Sequence, residues 1–159
     1  MENSALQRAL ISGAASSIVS TVAMALTGKK ETGSAFGPTN AVSHYVHGNK
    51  AARRHGFSLR YTIPGYLIHH ASATFWGFVF ENTLGRVLDK KSPVTTFAAA
   101  TATSAMAAFT DYQLTPKRLQ PGYEKKLSKK SLTVVYGGVA LGLALGALLA
   151  RKDQAPKCP

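Results

Sequence analysis

Five side chains in this 159-residue sequence are the candidates to hold a metal or pass a proton together: His44, His47, His69, His70 and Asp111. His44 and His47 are spaced i, i+3, which puts two imidazoles on one helical face. His69 and His70 are adjacent, so on a helix they point about 100° apart. Imidazole nitrogens with a carboxylate suit Zn or Fe by ligand type. Two histidines from different helices could instead ligate haem, and a histidine inside an apolar segment is also a proton carrier. The plainer alternative is structural, with the imidazoles hydrogen-bonding Ser, Thr or backbone groups of neighbouring helices.

The segment that carries the histidine pair, GYLIHHASATFWGFVFENTLG, is otherwise suited to lipid. On a helix, His70, Thr74, Gly77 and Glu81 fall at i, i+4, i+7 and i+11 and form one polar stripe. His70 heads that stripe and is the sharper candidate of the two. Glu81 lies near the far end, where an interfacial pairing with Arg86 or with the lysines of the following loop is expected. Asp111 closes the next apolar run on the side where the histidine segment begins. His44 and His47 belong to the loop on that side too. One local assembly could therefore hold His44, His47, His69, His70 and Asp111.

Four stretches would position these residues. Residues 9–28, 61–80, 92–110 and 131–150 contain no Asp, Glu, Lys or Arg. Each is about 20 residues, the length an α-helix needs to cross ~30 Å of hydrocarbon. A soluble surface helix normally carries a charged face. The pattern predicts an all-α integral membrane protein, a four-helix bundle with spans at 6–28, 62–83, 93–113 and 131–150. It forms a single membrane domain, residues 1–150, followed by a flexible tail, 151–159. A short amphipathic helix is expected in the first loop, capped at Thr39 or Asn40, running to about Arg54 along the membrane surface. The run after Arg8 has an A-x-A pattern at Ala23–Ala25. With one basic residue and Glu2 before it, it is expected to be a retained first helix rather than a cleaved leader.

Net charge is +12, from 19 Lys and Arg against 7 Asp and Glu, and mean hydropathy is near zero. The basic residues flank the apolar runs, so they are expected to meet anionic lipid headgroups and set topology, not to bind nucleic acid. The loops at 29–60 and 114–130 carry twelve of them and the opposite side seven. That bias places these two loops in the cytoplasm. The single cysteine, Cys158, permits no internal disulfide.

Small residues recur at helix-packing spacing. Gly138, Gly142 and Gly146 make two overlapping GxxxG steps, and Gly13 and Ser17 share the same spacing in the first run. Such faces serve packing within the bundle or association in a homo-oligomer or larger membrane complex. The sequence contains no G-x-S-x-G, P-loop, dinucleotide fingerprint or H-E-x-x-H. A non-enzymatic accessory or structural component without cofactor is expected. The alternative is a haem- or metal-binding redox or transport subunit that uses the histidines.

Residues 40–81, NAVSHYVHGNKAARRHGFSLRYTIPGYLIHHASATFWGFVFE, and 111–132, DYQLTPKRLQPGYEKKLSKKSL, resemble small multi-span inner-membrane proteins of proteobacteria with no assigned biochemical function. The resemblance implies a bacterial inner-membrane location and carries no site residues with it.

Overall fold

A computed structural model describes residues 4–152, and these contain helices and no strand. The expected flexible tail, apart from Arg151 and Lys152, and Cys158 lie outside the described residues. Four long helices occupy the predicted stretches: α1 (Ala5–Thr32), α4 (Thr62–Leu88), α5 (Pro93–Phe109) and α6 (Lys129–Arg151). Two short helices, α2 (Gly37–Val42) and α3 (His44–His47), fold the first loop. Among the described residues, α1 and α6 are long and apolar enough to cross a membrane by length and composition, two helices rather than four. The histidines and small polar residues of α4 lower its apolarity, and α5 stops at 17 residues before a π turn at Thr110–Leu114.

Helix ends follow local rules. Ser4 caps α1 in a reciprocal box with Gln7, and Gly33 ends it in the left-handed region at φ 72°. Ser92 caps α5, with Pro93 in the first turn, and Ser128 caps α6. Glu31, in the last turn of α1, joins that last cap from a distance. It accepts from the Ser128 backbone N–H at 2.8 Å, from the Ser131 hydroxyl at 2.7 Å and from the Ser128 hydroxyl.

Helix α1 is the centre of the bundle and runs antiparallel to both α4 and α6. Its Ser20, Ser16 and Ser12 backbones face Gly138, Gly142 and Gly146 in turn. On its other side Gly13 lies against Thr74, and Gly77 lies against Gly13 and Ala9. A methyl group at Gly142 would stand 2.4 Å from the Ser16 Cα. The glycine stripe of α6 is thus filled by α1 of the same chain, which brings the backbones close enough for dispersion contacts to hold them. Ser17 is buried in the same helix. One apolar cluster, with Phe80, Leu88 and Leu143, fills the α4–α5–α6 end; a second, with Met24, Val42, Tyr123 and Val135, fills the loop end.

The first loop departs from the expected surface helix. Helix α2 starts at Gly37, ends at Val42, and all six of its residues are buried. Two glycines make room for it: a Cβ at Gly65 would meet the Thr39 carbonyl, and one at Gly28 would stand 2.5 Å from Pro38. Asn40 then satisfies the chain around it. Its amide donates to the carbonyls of Arg54 (3.2 Å) and Gly56 (2.9 Å), and its oxygen accepts from the Thr62 hydroxyl at 2.6 Å. Asn40 is therefore a tether in the middle of α2, not the cap of a longer helix.

Candidate functional site

The buried face of α4 contains Thr62, Gly65, His69, Ala73, Gly77, Phe80 and Glu81. His69, not His70, is the histidine on it. The His69 Nε2 lies 2.8 Å from the Ser20 hydroxyl of α1. Ser20 in turn donates to the Ser16 carbonyl at 2.7 Å, an arrangement that suits the His69 tautomer with a proton on Nε2, which would donate to Ser20. The ring edge of His69 faces Tyr123 at 6.4 Å between centroids.

His70 turns away from α1. Its ring stacks on Tyr66 at 5.8 Å, and its Nδ1 has no hydrogen-bond partner among the described residues. Thr74 is half-buried against Gly13. His47 packs edge-on to Tyr61 at 4.9 Å. His44 ties the two long loops together: Nδ1 lies 3.0 Å from the Ala41 carbonyl and Nε2 lies 3.2 Å from the Arg118 carbonyl. Next to it, the Tyr45 hydroxyl donates to the Leu119 carbonyl at 2.6 Å.

His69 and Asp111 line one cavity of about 70 Å³ between the helices and the two loops. Tyr45, Tyr123 and Tyr136 also line it, with Ser72 and Trp76. Asp111 accepts from the Tyr136 hydroxyl at 2.6 Å, and Tyr136 accepts from Tyr123 at 3.0 Å. Burial holds the Tyr123 hydroxyl well above its usual pKa, so it remains a donor to Tyr136. A space of this size and polarity is large enough for a few waters. It is far smaller than a porphyrin. Of the five expected partners, two share the cavity, His44 braces the loops behind it, and His47 and His70 face elsewhere. No group of three or more His, Cys, Asp or Glu placed to hold a metal occurs among the described residues.

A second polar cluster sits at the opposite end of the bundle. Glu81 is buried, with 3% of its surface exposed, and does not pair with Arg86. Arg151, at the end of α6 and 1% exposed, grips its carboxylate with two nitrogens at 3.1 and 2.7 Å. Ser12 donates to the same carboxylate at 2.8 Å, and Arg8 stands 3.7 Å away. The Arg151 Nε reaches Asp89 at 3.0 Å. Three helices thus converge on one carboxylate. The start of α1 and the ends of α4 and α6 share one end of an antiparallel bundle, and that shared end is the signal by which Arg8 and Arg151 could have been matched to Glu81. Tyr136 had a simpler signal: a phenol inside a long apolar run needs a polar partner.

The polar groups therefore form two sets, a histidine–tyrosine–aspartate set around a small cavity and a carboxylate–guanidinium set that joins three helices. No family model, curated protein or solved structure matches the chain.

Proposed function

We propose that this chain is a multi-pass protein of a bacterial inner membrane, a non-enzymatic accessory or structural component. In this reading α1, α4, α5 and α6 all cross the bilayer, with spans near 6–28, 62–83, 93–113 and 131–150 and the two basic loops in the cytoplasm. One observation carries it: the bundle buries a serine stripe and a charged cluster among its apolar core and turns large apolar side chains outward on all four long helices. Ser12, Ser16, Ser17 and Ser20 are fully buried, and so, nearly, are Glu81 and Arg151. All four long helices expose large apolar side chains, among them Leu26, Phe75, Val94 and Leu149. In water such a surface would aggregate; in lipid it is the surface required. Buried polar groups that mostly satisfy one another support a structural role over catalysis.

Expression in bacteria followed by alkaline carbonate washing tests the location. The protein is expected to stay with the membrane pellet, and release into the wash would overturn the reading.

Glu31 lies beyond the 6–28 span, at the loop side. The Ser128 hydroxyl, then the Ser128 backbone N–H and the Ser131 hydroxyl, hold its carboxyl below its ordinary value of 4.5. A depressed carboxylate stabilises the fold above its unfolded pKa, and that contribution disappears as pH falls through the folded value. Glu31→Gln is expected to melt below the parent at neutral pH. The gap should close as pH drops under 4.5. A gap that stays constant through that window in thermal melts would show that the charge is not what binds α1 to α6.

A further inference from the structure

An open groove of about 550 Å³ runs along the outside of the bundle between α5 and α6. Its walls are mostly apolar, with Phe97, Ala105, Ala108 and Leu141 among them, and Tyr112 and Tyr136 also line it. Lys129 is the one charged residue lining it among the described residues. It stands at the start of α6, on the loop side, within the basic stretch Lys125–Lys130. From Lys129 to Leu141 is twelve helical steps, about 18 Å at ~1.5 Å per residue. One leaflet of a ~30 Å hydrocarbon core is about 15 Å deep. The groove therefore starts at a cation in the headgroup layer and ends near the bilayer midplane.

Gly137 lies in the groove and is exposed. The other α6 glycines, at 138, 142 and 146, are required by the close approach of α1, whereas a Cβ at Gly137 would meet nothing within 4 Å. Helix packing gives no reason for glycine there, and a missing side chain costs helix stability. What its absence provides is depth in the groove.

We propose that this groove is a binding site for an anionic phospholipid, with one acyl chain between α5 and α6 and the phosphate at Lys129. The proposal rests on the membrane reading above. A zwitterionic lipid offers the same chains but no net negative charge for Lys129, and a second copy of the chain would bring the same +12 charge to a basic rim.

The test uses the full chain purified in non-ionic detergent, mixed with phosphatidylglycerol or phosphatidylcholine, with bound lipid read by native mass spectrometry. The parent is expected to retain phosphatidylglycerol about fivefold better than phosphatidylcholine, roughly the worth of one lysine beside an anionic headgroup. Lys129→Gln should remove that preference. Gly137→Leu should abolish retention of both lipids while its melting temperature in lipid-free detergent stays at the parent's. Equal retention of the two lipids by the parent, or parental retention by Gly137→Leu, overturns the proposal. So does a dimer that Gly137→Leu disrupts, because it assigns the groove to a second copy. Carbonate washing of the same protein separates the failures: protein that stays in the pellet but retains no lipid refutes this site alone, and protein that washes out refutes the membrane reading as well.

Discussion

Arg151→Leu is expected to destabilise the bundle by about 3–5 kcal/mol, because it leaves a buried carboxylate without its main partner. Glu81 would keep the Ser12 hydroxyl at 2.8 Å and the more distant Arg8 at 3.7 Å, neither of which replaces two short guanidinium contacts. Glu81→Leu should be comparably damaging, because Arg151 is 1% exposed and would keep only Asp89 and the Ala147 carbonyl. The double variant discriminates. Replacing both members of a buried pair with apolar residues is often neutral or stabilising. Glu81→Leu/Arg151→Leu should therefore be more stable than either single variant, and thermal unfolding in detergent measures all four proteins. Single variants within ~0.5 kcal/mol of the parent, the range of ordinary surface substitutions, would mean that the cluster is solvated and does not join the helices.

The same cluster shows where sequence reasoning stops. The four helical stretches were legible because charge is so strongly segregated along the chain; α4 starts at Thr62 and α5 at Pro93, as the pattern predicts. By length and composition alone only α1 and α6 are long and apolar enough to cross a membrane among the described residues, because α4 carries histidines and other polar groups and α5 has 17 residues. Spacing also shows that His69 and His70 face different neighbours, but it does not fix the rotation of α4 about its axis. That rotation is set by the close crossing at Gly13 and Gly77, a contact between residues far apart in sequence. Gly77 sits eight residues after His69 and seven after His70, so either histidine could have shared its face. Arg151 was hidden for a different reason: a basic residue directly after an apolar run reads as a topology signal, and only the fold shows that it points inward. The burial of α2 has no local signature at all. Its sequence, GPTNAV, reads as turn formers, and it becomes core because Gly28 and Gly65 admit it.

Gly142→Leu tests the close backbone contact that joins α1 to α6. Overpacking a well-filled site costs about 1–3 kcal/mol when neighbouring side chains can move. Here the neighbours are backbone: a Cβ would lie 2.4 Å from the Ser16 Cα, 2.6 Å from the Ala15 carbonyl oxygen and 2.7 Å from the Ser16 nitrogen. Backbone cannot swing aside, so α1 and α6 must separate. Separation breaks the bonds that cross from α1 to α6: the Ser16 hydroxyl donating to the Val139 carbonyl, and the Glu31 carboxylate accepting from Ser128 and Ser131. The expected result is loss of the folded bundle, seen as aggregation on size exclusion and no cooperative melt. The stripe also predicts a gradient. At Gly146 the added Cβ would stand 2.6 Å from the Ser12 Cα, but at Gly138 the nearest backbone is 3.1 Å away, so Gly138→Ala should be the mildest of the three substitutions to alanine. Gly137, one residue along and facing outward, is the internal control, since leucine there meets open space. If Gly142→Leu and Gly137→Leu melt alike, close contact between α1 and α6 is not what assembles this protein, and the helices are held by the polar clusters alone.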